Sequence, residues 1–100
     1  MILHIDTKNQ KVITVSLRKD RKMVKSLSKK NEYGSQVLLP LVMKLLRTTN
    51  YELETLKGIE VETGPGSFTG LRVGVSLANA LGFALRIPVN GKKIETDLVY

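Results

Sequence analysis

The chain has 100 residues, 42% of them apolar, with 16 Lys and Arg against 9 Asp and Glu and no cysteine or tryptophan. That length supports one compact domain around one core, and the lack of cysteine excludes a disulfide framework, a thiolate zinc site, an iron–sulfur cluster and a cysteine nucleophile. The apolar stretches read as shorter than the roughly 18 residues of a membrane span, and Met1–Asp6 lacks the basic flank of a signal peptide, so a cytoplasmic chain with no membrane contact is expected.

Ile2–Thr7 alternates, and Lys11–Arg18 is β-branched with period two, so a strand, a polar turn and a second strand are expected. Arg18–Arg21 makes another turn and Met23–Leu27 continues the alternation, completing a three-stranded antiparallel meander. This opening segment holds all of the formal net charge of +7: nine basic side chains between Lys8 and Lys30 meet only Asp6 and Asp20, while the remaining residues balance. Clustered Lys and Arg attract phosphate, which makes residues 8–30 a candidate nucleic-acid contact that neutralising Lys19, Lys22 and Lys25 should weaken. The same alternation suits a solvated sheet face or a guarded edge strand, and no aromatic is interleaved for base stacking.

From Ser35 to Arg47 the apolar positions Leu38, Leu41, Val42, Leu45 and Leu46 fall at helical spacing, with Ser35 as a candidate N-cap and Pro40 implying a kink or a late start. Tyr51–Lys57 suits a turn or two, Gly58 the position after a helix end, and Ile59–Thr63 a strand. Gly64-Pro-Gly-Ser-Phe-Thr-Gly70 then leads into a long helix over Thr69–Leu85, which Pro88 ends, and Pro88–Asn90 should form a last strand. A meander followed by β-α-β crossovers predicts an α/β fold, a mixed sheet with helices on its faces.

A glycine turn entering a helix presents N–H groups to anions, yet the familiar phosphate loops do not fit. A Walker A loop would need Gly-Lys-Ser/Thr from the fifth residue after Gly64, where Thr69, Gly70 and Leu71 stand, and Thr69 also occupies the third-glycine position of a dinucleotide fingerprint. Pro65 breaks a Gly-x-Ser-x-Gly elbow, and the one histidine, His4, lies in the first strand, so no hydrolase triad is expected. The remaining alternatives are an anion site and a tight strand-to-helix turn capped by Ser67 or Thr69. Within the helix, Gly70, Gly74, Ala78 and Gly82 recur every four residues. Each helical glycine costs about 1 kcal/mol relative to alanine, so this ridge implies close approach, either to a partner helix or to the domain's own sheet.

GPGSFTGLRVGVSLANALGFALRIPV, residues 64–89, closely resembles the signature of the TsaB (YeaZ) family of bacterial tRNA threonylcarbamoyladenosine biosynthesis proteins. Ile5-Asp6-Thr7, Leu38-Leu39-Pro40 and the strand before Gly64 match in order and spacing, and the motif loop comprises Gly64, Pro65, Gly66, Ser67, Phe68 and Thr69, with Arg72 behind it. The resemblance implies the N-terminal domain of an actin-like (ASKHA), ribonuclease-H-like α/β fold over residues 1–92, with 93–100 as a tail and no second lobe. It further implies a non-catalytic subunit that pairs with a TsaD-like catalytic subunit, is joined by a TsaE-like ATPase and forms a homodimer when alone. Pairing through N-terminal helices maps onto Leu38, Val42 and Leu45 of the first helix and Gly70, Gly74, Ala78 and Gly82 of the second, so Gly74→Leu should block association in a folded domain. Direct tRNA contact would then fall to residues 8–30.

Catalytic relatives such as TsaD carry a His-x-x-x-His motif after the strand that follows this helix, whereas Val89–Asp97 has no histidine, so neither metal nor metal-dependent chemistry is expected. The fold class places nucleotide phosphates at the first hairpin, here Asp6 and Thr7. That hairpin lacks wrapping glycines, so no cofactor is expected to bind independently, ATP or ADP entering only with partners. Plain turn chemistry is the other reading of Asp6 and Thr7. An ATPase assembled from two half-clefts by dimerisation, and a basic tRNA-binding module, are the alternative functions.

Overall fold

The computed structural model describes residues 1–9, 11–30 and 34–96. Strands β1 (Ile2–Asp6), β2 (Val12–Lys19) and β3 (Lys22–Lys30) lead to helix α1 (Gly34–Thr49), a 3-10 turn at Leu53–Thr55, strand β4 (Gly58–Val61) and helix α2 (Phe68–Leu85). The sheet order is β3-β2-β1-β4, the first three antiparallel and β4 parallel to β1 through the α1 crossover. This is the mixed α/β sheet that the alternation and the helical spacing predict.

Register follows from which residues must be dry. Leu3 lies between Leu17 and Ile59, and Ile5 between Val15 and Val61, so one face of the sheet is aliphatic across three strands. Leu38, Leu41, Val42, Leu45 and Leu46 of α1 and Val75 and Ala78 of α2 close over that face and form the core with it. Full burial of each such leucine or valine is worth about 1.5–3 kcal/mol. Both helices share this face, where the sequence suggested helices on the faces generally. The other face is polar: Arg18 pairs with Glu60, Thr14 with Ser28, and Ser16 with Ser26. An antiparallel sheet tolerates one wet face because its outward side chains satisfy one another and water.

Several boundaries differ from expectation for local reasons. β3 runs to Lys30 rather than Leu27 because it is an edge strand, with Leu27 its one partly buried position. A two-residue turn joins it to β2, with Asp20 at φ 51° and Arg21 at φ 71°, the double left-handed geometry of a type I′ hairpin. α1 begins at Gly34, which puts Ser35 inside its first turn rather than at the N-cap, and runs through exposed Pro40. Asn31–Tyr33, between β3 and α1, lie outside the described residues. α2 has 18 residues and a mean hydropathy of 1.3, long and apolar enough by those measures to cross a membrane, contrary to the sequence reading. Its Gly70, Leu71, Gly74, Val75, Ala78 and Gly82 are buried within this fold.

The strand expected at Pro88–Asn90 contracts to one bridge, Val89 parallel to Ile59, because Asn90 and Gly91 take positive φ and turn the chain back to Lys92. The Asn90 side chain extends the ladder instead: its Oδ1 accepts from Val61 N at 2.8 Å and its Nδ2 donates to Val61 O at 3.0 Å. Asn90 Nδ2 also donates to Glu95 Oε2 at 2.8 Å, while Asn79 on α2 holds both backbone groups of Glu95, at 2.9 and 2.8 Å. Glu95 is 4% exposed. The expected domain boundary at residue 92 therefore falls inside a stitched corner; Asp97–Tyr100 lie outside the described residues.

Candidate functional site

The glycine-rich loop meets the end of β1. Ser67 caps α2 by accepting from Gly70 N–H at 3.3 Å, its own N–H donates to Lys8 O at 2.9 Å, and Gly64 carries φ 113°. The Gly64–Pro65 peptide is cis. Thr7 is fully buried, and its hydroxyl donates to Gly70 O at 2.6 Å. A Cβ on Gly70 would strike Thr7 O, one on Gly74 the Thr7 side chain, and one on Gly66 the Lys8 backbone. The three glycines are thus explained by the segment just after β1 that passes beneath them.

This geometry corrects the expected partner surface. Gly70, Gly74 and Ala78 face the interior, Gly82 abuts Val89, and Leu38, Val42 and Leu45 are 0% exposed core residues. These positions are packed within the domain, and Gly74→Leu would drive its side chain into Thr7. Of the two alternatives for the ridge, close packing against the domain's own sheet is the one present.

What α1 and α2 turn outward is a different set. Leu39 and Met43 on α1 are 42% and 40% exposed, and Phe68 on α2 is 55% exposed. Leu38, Leu39, Arg72, Val73, Ser76 and Leu77 line a groove of about 450 Å³ between the two helices. The Arg72 guanidinium stands 5.3 Å from the centroid of the Phe68 ring, within the range of a cation–π contact. At the other end of α2, Phe83 is 87% exposed beside a cleft of about 780 Å³ lined by Ile87, Pro88 and Lys93. Sequence reasoning placed none of Leu39, Met43 and Phe83 at a partner surface. Their signal was an apolar side chain lying off the core stripe of its own helix.

At the hairpin, Asp6 Oδ1 accepts from Lys8 N–H at 3.1 Å and Asn9 Oδ1 from Lys11 N–H at 2.7 Å, the local turn chemistry named as one of the two readings. On the open face beside it, Glu62 receives Lys8 Nζ at 2.9 Å and His4 Nε2 at 2.8 Å. The hydrogen bond from Lys8, joined by that from His4, holds the Glu62 carboxyl below the usual carboxylate range and raises Lys8 in return. The Arg18 fork does the same to Glu60, meeting both its oxygens at 2.8 and 2.9 Å. Among the described residues, no three His, Asp or Glu side chains are grouped so as to hold a metal ion.

A family model described as TsaD, tRNA N6-adenosine threonylcarbamoyltransferase, matches residues 28–91. The tRNA threonylcarbamoyladenosine biosynthesis protein TsaB of Bacillus subtilis is 36% identical over 95% of this chain and 42% of its own length. The tRNA N6-adenosine threonylcarbamoyltransferase of Nitrosomonas eutropha is 48% identical over 52% of this chain and 15% of its own. YeaZ from Pseudomonas aeruginosa superposes with a TM-score of 0.79 at 32% identity, covering 88% of this chain and 40% of that one. The actin-like α/β fold expected from the resemblance is thus present, and the chain spans about two-fifths of the length of the TsaB relatives it matches. The chain therefore belongs to the family whose model is described as TsaD, and it is similar to TsaB over nearly all of its own length.

Proposed function

We propose that this chain acts in tRNA threonylcarbamoyladenosine synthesis as a cytoplasmic, non-catalytic partner that docks a TsaD-like subunit through the outward faces of α1 and α2. The observation that supports it is the apolar groove between α1 and α2, where exposed Leu39 and half-buried Val73 and Leu77 lie beside the Arg72–Phe68 pair. A groove of this kind between two helices suits burial of a third helix. The motif residues argue the same way, since Thr7 and Ser67 serve packing and capping rather than facing an open site. When the TsaD-like subunit is absent, the same groove pairs with a second copy; a TsaE-like ATPase joins the pair as the resemblance implies. Nucleotide binding by the chain alone is not expected, because Thr7 is buried and the Lys8 N–H is already held by Asp6. Titration calorimetry with ATP and Mg²⁺ should therefore be flat.

The test is mass in solution by light scattering over a concentration series, alone and with a TsaD-type subunit. Leu39→Glu and Ser76→Glu place charge in the groove at exposed positions, and each should abolish pairing while the melting temperature holds. Pairing that survives both substitutions refutes this docking face.

A further inference from the structure

We propose that the outer edge of the β2–β3 hairpin is a ridge that binds the phosphate backbone of RNA, an inference that rests on the tRNA-directed reading above and deepens it. Its cations are not those the sequence groups together. Of the nine basic residues in the first 30, Lys8 is paired with Glu62 and Arg18 with Glu60. Lys19, Arg21, Lys22, Lys25, Lys29 and Lys30 are all exposed, and among the described residues none of the six takes part in an ion pair. The ninth, Lys11 just before β2, is also exposed and outside these ion pairs, but it stands apart from the other six, which follow one another along the end of β2, the turn and β3.

The shape of that edge selects the ligand. Lys25 stands opposite Leu17 and Lys29 opposite Ile13, on the helix side of the sheet, while Lys30 stands opposite Val12 on the other side. The nine residues of β3 extend about 30 Å, so the charges are strung along a line and do not converge. A single phosphate needs convergent donors, whereas a line of separate cations matches a polyanion. Guarding an edge against strand pairing accounts for some charge but not for six cations with no ion pair among the described residues and only Asp20 in the segment they span. A protein partner fits less well, because lysine is depleted in protein interfaces and apart from Met23 and Val24 the ridge lacks an exposed apolar anchor. Residues 12–30 contain no aromatic side chain, so the contact reads backbone and not bases.

The experiment measures binding of a tRNA transcript to the full chain across a salt series, with Lys25→Gln/Lys29→Gln compared against the charge-matched control Lys57→Gln/Lys93→Gln. Four to six phosphate contacts give the parent a slope of log affinity on log salt of about −3 to −5. The ridge pair should reduce that slope by about 2 and weaken binding about tenfold at 0.1 M salt, and the control pair should change neither. Equal loss in both pairs, or a slope near zero in the parent, overturns the ridge. Loss of binding to a TsaD-type subunit in the ridge pair with tRNA binding retained also overturns it, and makes the edge a protein contact. Failure of the parent to pair with that subunit, with the salt-dependent tRNA signal intact, counts against the docking proposal and leaves the ridge standing.

Discussion

The two ends of this sheet obey opposite constraints. Where the chain leaving β1 runs under the motif loop and α2, there is no room for one added methyl group: Gly66, Gly70 and Gly74 meet Lys8 and Thr7 directly. Where β3 closes the other edge, almost every side chain is exposed and the cations have no partners among the described residues. The seam bears the recognisable motif, and the edge bears an unremarkable run of lysines. A specific sequence pattern here marks tight packing, whereas the surfaces free to meet other molecules have simpler composition.

The sharpest way to break this contrast is at the seam. Gly70→Ala should destabilise the domain by about 3 kcal/mol, the upper end for overpacking, because its new methyl meets the Thr7 carbonyl rather than a yielding side chain. Urea unfolding measures it, and a cost as small as that of a surface substitution would mean the seam is loose. Asn90→Ala, at the stitched corner, leaves the Val61 backbone groups without their partner and should cost about 2 kcal/mol in the same assay. The hairpin edge predicts a gain instead. Replacing Asp20-Arg21 by Asn-Gly fits the positive φ of both positions and should stabilise by about 1 kcal/mol.

The smallest effect lies on the open face. The folded state holds the Glu62 carboxyl below its unfolded value near 4.5, so the folded chain binds its proton less readily. The resulting stabilisation is present above that value and fades as pH falls through the lower, folded one. Because Glu62 is about one-third exposed, the contribution should stay below about 1 kcal/mol. Glu62→Gln should therefore flatten the acid limb of the stability–pH curve while changing little else, and an unchanged acid limb would show that the pair contributes nothing.

Strand alternation, the helical stripe of α1 and the strand-turn-helix at Gly64 were legible because each is a local pattern with a fixed period. The direction of the α2 ridge was not. Small residues every four positions state that something approaches closely, but for Gly70 and Gly74 the approaching group is Thr7, more than 60 positions earlier, and nothing local names it. Leu38, Val42 and Leu45 carried the same ambiguity, since a stripe that suits a partner also suits a core. The corner around Glu95 was illegible for another reason: Asn79, Asn90 and Glu95 read separately as surface polar residues and form a structure only when the turn at Gly91 brings them together.

That corner also bears on how the molecule ages. Asn90 is followed by Gly91, the pairing in which a backbone nitrogen most readily attacks the side-chain amide, expelling ammonia and leaving aspartate or isoaspartate after water adds. In the folded chain the amide is held by Val61 and Glu95, so the reaction waits on opening of the turn. Once it occurs, a carboxylate replaces the donor beside Glu95 and the Val61 carbonyl, and the corner can no longer close as before. Slow deamidation at this one position would record how often this part of the domain opens.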